Sequence, residues 1–292
     1  MKEQKYEINL EENNIPFELK DIFECGQCFR WNCEEDGSYT GVFQNNIINV
    51  KKTNNKIIFE GICEGEIEEI VTKYFDLNRN YNEIKEKLSK IDNYMKLSIQ
   101  FGKGIRLLNQ DLWETIISFI ISANNNIPRI KGIIERLSKT YGKEIIWKNK
   151  KYYTFPTAEE LRNVSIEEYR KLGLGFRDER VYKTTQMILE KQIELKELQE
   201  NQNTNEVREK LLTLAGVGPK VADCILLFSD LKRLEVFPID VWVRRVVNDL
   251  YLKEKDENKI SKTKIENLAK EKFGDIAGLA QQYLFYWRRE QA

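Results

Sequence analysis

Apolar residues cluster in three short stretches early in the chain, "YTGVFQ" (39–44), "NIINVKK" (46–52) and "KIIFEG" (56–61), which are rich in β-branched or aromatic residues and separated by Asn-containing turns. Such stretches between turns predict an antiparallel meander. From about Glu64 the pattern changes. "EIEEIVTKYFDL" (66–77), "NEIKEKLSKI" (82–91) and "DNYMKLSIQ" (92–100) each place their apolar side chains on one face of a helix. From Leu112 onward the pattern is almost wholly helical. "LWETIISFIISA" is apolar nearly all round and predicts a buried central helix, whereas "RIKGIIERLSKTYG" is amphipathic and stops at Gly142. Thr157 in "TAEEL" and Ser165 in "SIEE" supply N-cap hydroxyls, and Ser165 with Glu168 forms a capping box. The polar run "ENQNTNE" (200–206) reads as a loop, and no repeat of fixed period is present. The expected fold is α+β: an N-terminal antiparallel sheet with flanking helices over 1–105, then a helical region over 106–292.

Composition narrows the chemistry. At 292 residues, with 41% apolar and 32% charged residues, the chain suits a soluble protein of two or three subdomains. Its net charge is zero, so any affinity for nucleic acid must come from local clustering of Lys and Arg. There is no histidine, which removes Ser-His-Asp and Cys-His catalysis and leaves lysine, carboxylates, cysteine and tyrosine. The five cysteines (Cys25, Cys28, Cys33, Cys63 and Cys224) are an odd number in a chain too large to need disulfide staples, so reduced thiols and a cytoplasmic location are expected. The polar start "MKEQKYEINLEENN" has no signal-peptide core, and no run reaches the roughly 18 apolar residues that span a bilayer. No membrane partner is expected, and a monomer is the default state.

The segment "KLLTLAGVGPKVADCILLFS" (210–229) predicts a helix, a tight Gly-Val-Gly turn and a second helix, a hairpin spanning about 206–228. Gly216 and Gly218 can adopt positive φ and let another backbone approach, and Pro219 suits the first helical position, where no amide hydrogen is needed. Free amides around Gly216, Val217 and Gly218 would face a DNA phosphate without reading sequence. Lys220 then falls in the first turn, where the helix dipole disfavours an ammonium ion by a few tenths to about 1 kcal/mol. A lysine there either contacts phosphate or acts as a nucleophile whose pKa is depressed. Some twenty residues on, "VFPIDVWVRRVV" places Pro238 and Asp240 just before another helix. Asp240 can cap that helix and also stabilise a cationic sugar-like transition state.

Gly-Val-Gly-x-Lys followed at this spacing by Pro-x-Asp resembles the helix-hairpin-helix Gly/Pro-Asp superfamily of DNA glycosylases, and the lysine points to its bifunctional members. The closest resemblance is to the 8-oxoguanine DNA glycosylase family, carried also by "GQCFRW" (26–31), "YFDL" (74–77), "GIRLLNQDLWETIISFIISANNN" (104–126), "LGLGFR" (172–177) and "GLAQQYLF" (278–285). The resemblance implies removal of 8-oxoguanine, and of related oxidised purines, from duplex DNA through a Lys220 Schiff base, with strand cleavage by β-elimination. It implies Lys220 and Asp240 as catalytic residues. It also implies a lesion pocket of Gly26, Cys224, Pro238, Gln281 and Phe285, in which the Gly26 carbonyl accepts the N7–H that only the oxidised base carries. Asn124, Arg129 and Arg177 would hold the unpaired cytosine, and Phe176 would wedge into the stack. Two departures stand out: Trp242 replaces a histidine common two residues after the aspartate, and Phe176 replaces a wedge tyrosine.

No metal or other cofactor is required by this chemistry, although hairpin carbonyls could hold a structural cation beside a phosphate. With no cysteine after Cys224, the iron-sulfur glycosylases are disfavoured, and zinc would need Cys25, Cys28, Cys33 and Cys63 together. The alternatives are an alkylated-base glycosylase, which shares the aspartate but normally lacks the lysine, and a non-catalytic module that uses the hairpin only to bind DNA.

Overall fold

The structure is a computed structural model describing residues 1–256 and 259–291. In chain order its elements are β1 (Lys2–Asn9), α1 (Leu19–Phe23), β2 (Trp31–Cys33), β3 (Tyr39–Phe43), β4 (Asn46–Thr53), β5 (Lys56–Cys63), α2 (Ile67–Tyr74), α3 (Tyr81–Ser89), α4 (Asn93–Phe101), α5 (Leu112–Ser122) and α6 (Ile127–Tyr141). They continue with β6 (Glu144–Trp147), β7 (Lys150–Tyr153), α7 (Ile166–Lys171), α8 (Asp178–Leu189), α9 (Leu195–Glu200), α10 (Thr204–Leu212), α11 (Pro219–Phe228), α12 (Val241–Val247), α13 (Lys262–Phe273) and α14 (Ala277–Arg289). No helix among the described residues is long and apolar enough to cross a membrane.

The α+β reading holds. The three predicted strands are β3, β4 and β5, within a five-stranded antiparallel sheet of order β1-β5-β4-β3-β2. The sequence reading passed over β1 because its "KEQKYEIN" carries only Tyr6 and Ile8 as apolar residues. It pairs along its whole length with β5, from Lys2 opposite Cys63 to Asn9 opposite Lys56. A charged edge strand is a common guard against edge-to-edge association. The expectation of an almost wholly helical second half also misses the β6–β7 hairpin, whose turn residues Lys148 and Asn149 both have positive φ. The Ser165–Glu168 capping box forms. Thr157 and Glu160 exchange equivalent bonds, yet the residues that follow stay in turns and do not become a helix. The 200–206 loop shortens to 201–203, because Asn203 caps α10.

Two large apolar cores result, beside a small cluster of Val42, Ile47 and Trp147. One lies beneath the sheet, where Trp31 stacks on Phe23 at 4.3 Å and donates to the Tyr74 hydroxyl. The other fills the helical region and takes in α3 and α4 through Leu88, Met95 and Ile99; α5 crosses it with nine of its eleven residues buried.

The strap between α4 and α5, residues 104–110, binds the two cores together. Arg106, wholly buried, donates to the carbonyls of Phe75 and Asp76 and lies 4.3 Å from the centroid of the Tyr81 ring. Lys232 donates to the carbonyls of Leu107 and Leu108. Gln27, also wholly buried, donates to the Ile22 and Arg106 carbonyls and accepts from the Leu108 amide. Gln110 Nε2 then bridges the Gln27 carbonyl at 2.7 Å and the Phe228 carbonyl, the last residue of α11, at 2.9 Å. A buried polar group left without its partner loses the full cost of desolvation. Gln27→Leu orphans the Arg106 carbonyl and the Leu108 amide and leaves the Ile22 carbonyl only the Cys25 thiol, so unfolding in urea is expected to show a loss of about 2 kcal/mol or more; a loss below about 1 kcal/mol would show that the strap does not rely on this side chain.

Candidate active site

The hairpin is α10, the turn 213–218 and α11. Only Gly216 uses its freedom in φ, at +84°; a Cβ there would lie 2.8 Å from the Arg180 side chain. Gly218 does not take positive φ, as the sequence reading allowed, but is extended at φ −92°, ψ 179°. A Cβ on Gly218 would meet nothing within 4 Å, so its surroundings are open to an incoming group. Pro219 opens α11 without a side-chain cap, leaving first-turn amides for an anion.

Lys220 follows, half-buried, with its amine 5.6 Å from the centroid of the Phe119 ring. Asp240 caps α12, accepting the Val243 amide hydrogen at 2.7 Å, so the capping role is real. A cavity of about 50 Å³ is bordered by Lys220, Cys224, Pro238, Asp240, Gly26, Gln281 and Phe285. All seven residues proposed for catalysis and the lesion pocket therefore share one hollow. Sequence reasoning passed over the rest of its wall: Cys25, Phe119, Phe228, Val243 and Gln282. Phe119 lies in a helix apolar on every side, so nothing marked it; Gln282, beside Gln281 in "AQQYLF", was visible as a polar residue inside an apolar run. A larger hollow of about 660 Å³ brings together none of the predicted residues, and its Arg208 is already paired with Asp223 at 2.8 Å.

The electrostatics differ from the expected helix-dipole effect. The Lys220 ammonium is held above its ordinary range, first by the Cys224 sulfur and then, against burial, by Asp240. Burial pushes the Cys224 thiol itself up to about 11, so at neutral pH it is an uncharged S–H and its hold on the ammonium acts only at higher pH. Near neutral pH burial and the helix dipole, the latter worth up to about 1 kcal/mol, act against the ammonium and the Asp240 carboxylate acts for it. Two acceptors in the hollow are unengaged. Gln281 Oε1 is buried with no hydrogen-bond partner, and the Gly26 carbonyl, in a residue at φ +91°, receives no hydrogen bond among the described residues.

A second group lies at the "LGLGFR" turn. Phe176 projects from it 54% exposed, with the Arg177 and Arg180 guanidinium groups 4.2 and 4.9 Å from its ring centroid. Arg129 and Arg136 donate to the carbonyls of Gly173 and Leu172 in the same turn. None of these four arginines forms an ion pair among the described residues, and this local excess of positive charge is what the zero net charge concealed. Asn124, at φ +51°, and Arg129 are exposed. Arg177 is not: it is 1% exposed and donates to the carbonyls of Ala123, Asn124 and Leu174, so in this state it supports the Asn124 loop. Trp242, half-buried, borders a separate cavity of about 160 Å³ with Arg245 and Arg288, and its Nε1–H has no partner among the described residues.

Residues 7–116 match the 8-oxoguanine DNA glycosylase N-terminal domain, and residues 117–274 match the HhH-GPD superfamily of base excision DNA repair proteins. The 8-oxoguanine glycosylase/lyase of Clostridium acetobutylicum, solved with double-stranded DNA containing cytosine opposite 8-oxoG, is 42% identical, with 95% of this chain and 93% of that one covered at a TM-score of 0.89. A probable N-glycosylase/DNA lyase of Methanothermobacter thermautotrophicus is 30% identical over 75% of this chain and 73% of its own length. The N-glycosylase/DNA lyase of Saccharomyces cerevisiae is 28% identical over 91% of this chain and 82% of its own.

Because the Lys220 amine is half-buried at the hollow beside the Asp240 carboxylate, it should react slowly with small aldehydes near neutral pH. Reductive methylation with formaldehyde and cyanoborohydride, followed residue by residue by mass spectrometry, is expected to modify Lys220 more slowly than exposed lysines at pH 7 and to accelerate as pH rises through 9 and above. Fast, pH-independent labelling would restore the dipole-depressed amine.

Proposed function

This chain belongs to the 8-oxoguanine DNA glycosylase family, within the HhH-GPD superfamily of base excision DNA repair proteins, and we propose that it excises 8-oxoguanine from duplex DNA and then cuts the strand as a lyase. The observation that carries this reading is the single hollow in which an amine, a carboxylate and two unengaged acceptors meet. Guanine N7 is a lone-pair acceptor, and oxidation at C8 turns it into an N–H donor. The Gly26 carbonyl attracts that donor and repels the unmodified ring, while Gln281 Oε1 accepts from the base's pairing edge. Cys224 and Phe285 border the ring on opposite walls.

Once the lesion is flipped out, the Lys220 amine gives up its proton, with Asp240 the carboxylate at hand to take it. The free amine forms a bond to the sugar C1′ as the N-glycosidic bond breaks and its electron pair leaves with the base. The proton passes from Asp240 to the departing base, so that an anionic carboxylate faces the positive charge that develops on the sugar. The aminal then loses an N–H proton as its C1′–O4′ bond opens and O4′ takes a proton; the Schiff base so formed acidifies the neighbouring C2′ hydrogen, and β-elimination expels the 3′ phosphate. No step calls for a metal ion. A cavity of 50 Å³ holds one or two waters by their liquid share of about 30 Å³ each, so its walls part to admit a purine, with Phe285 on the rim.

Extrusion costs the duplex a few kcal/mol of stacking and pairing. Phe176 entering the stack, with Asn124 and Arg129 bonding the widowed cytosine, offsets that cost, and the uncapped start of α11 grips a phosphate. An alkylated-base glycosylase is the weaker reading, since it leaves Lys220 at the cavity without a task.

Under borohydride, the native chain is expected to become covalently linked to a duplex carrying 8-oxoguanine opposite cytosine. Lys220→Gln should abolish the adduct while a gel-shift assay still shows binding; an adduct that persists assigns the nucleophile elsewhere. Asp240→Asn is expected to slow single-turnover excision by about a hundredfold or more with DNA affinity kept. Parallel losses of rate and affinity would reduce Asp240 to a helix cap.

A further inference from the structure

Three of the four carbonyls from Glu24 to Gln27 are already engaged. The Glu24 carbonyl accepts from Arg289 Nη2, the Cys25 carbonyl from Gln282 Nε2 at 2.6 Å, and the Gln27 carbonyl from Gln110 Nε2 at 2.7 Å. The carbonyl left over is that of Gly26, which borders the cavity. Two of the three donors come from α14. Gln282, Phe285 and Arg289 stand at i, i+3 and i+7, one stripe of that helix, and the stripe faces the loop. Gln282 is 2% exposed. The Arg289 guanidinium lies 5.4 Å from the centroid of the Phe285 ring, and its Nη1 would stand 3.3 Å from a Cβ placed on Gly26.

We propose that Gln282 and Arg289 are positioning residues for lesion discrimination: they pin the carbonyls before Gly26 so that the Gly26 carbonyl cannot turn away from the base. This inference rests on the excision activity proposed above. The physical need is specific. Against 8-oxoguanine the carbonyl meets an N–H and is attracted, so it has no tendency to move; against guanine it meets a lone pair, and a mobile loop would rotate to relieve the repulsion. Discrimination therefore depends on how stiffly the peptide is held, as it does wherever a site rejects a ligand by an unfavourable polar contact. Cleavage at a site already lacking its base involves neither Gly26 nor its carbonyl and should not depend on the clasp.

The test compares Arg289→Met and Arg289→Lys with the native chain on three duplexes: 8-oxoguanine opposite cytosine, guanine opposite cytosine, and a preformed abasic site. Arg289→Met removes the bond to the Glu24 carbonyl while keeping an unbranched side chain against Phe285. It is expected to lower the ratio of 8-oxoguanine to guanine excision by about tenfold, the lower end for losing a hydrogen bond made by a charged donor. Strand cleavage at the abasic site should change by less than about twofold, a readout that damage to the fold would not spare. Arg289→Lys keeps one donor and should recover most of the ratio. An unchanged ratio in Arg289→Met, or equal losses on the lesion and abasic duplexes, would overturn the proposal. If the native chain cuts the abasic duplex but never excises 8-oxoguanine, the excision reading itself falls and takes this inference with it.

Discussion

A bridging glutamine amide joins the two halves of the active site. Gln110 Nε2 donates at once to the Gln27 carbonyl, in the loop that carries Gly26, and to the Phe228 carbonyl, at the end of the helix that begins with Lys220. Gln27 locks the same strap from the other side through three buried bonds of its own. The sheet core and the helical core each bury enough apolar surface to be ordered, but apolar contact is non-directional and tolerates sliding. The hydrogen bonds of half-buried Gln110 and wholly buried Gln27 do not. They fix the reading carbonyl and the nucleophilic amine in one frame, which the chemistry requires within a fraction of an ångström.

The amine shows how local electrostatics can reverse a simple expectation. A lysine in the first turn of a helix is placed against the dipole, yet here the Cys224 sulfur, once ionised, and the Asp240 carboxylate outweigh burial and raise the amine above its ordinary range. The resting site therefore holds a half-buried cation beside a carboxylate. That arrangement suits a nucleophile needed only after a substrate has entered, because side reactions with stray carbonyl compounds are suppressed until the proton is drawn away. The surface follows a related economy. A net charge of zero conceals a turn where Arg177 and Arg180 lie against Phe176 and Arg129 and Arg136 bond to backbone carbonyls, none of the four in an ion pair among the described residues, and the remaining charge is largely spent in exposed ion pairs of small energetic weight. Cations held by backbone carbonyls keep their charge available for a phosphate or a base edge.

Much of this was legible in the chain. The β-branched and aromatic-rich stretches became β3 to β5, the long apolar segment became the buried α5, and the Gly-Val-Gly-Pro-Lys turn formed the hairpin with its amine beside Asp240. These follow from short-range rules: residue periodicity, the restricted φ of proline, and the need of a helix start for an acceptor. Less was legible where a residue's meaning lies in what packs against it from far along the chain. β1 has almost no apolar alternation and exists because β5 offers it a full row of partners. Phe119 looks like any core residue of α5 until α11 is laid across it.

By itself, then, the order of amino acids determined which segments would be strand or helix and which side chains carried chemistry, because those properties depend on neighbours within a turn or two. Only the tertiary structure decided that Gly26 and Phe285 would close one hollow over Lys220, that Arg177 would turn inward to hold the Asn124 loop, and that the amine would rest protonated. Each of these is set by groups tens to hundreds of residues apart in the chain, and the free energies involved depend on distance and burial in space, which no local pattern encodes.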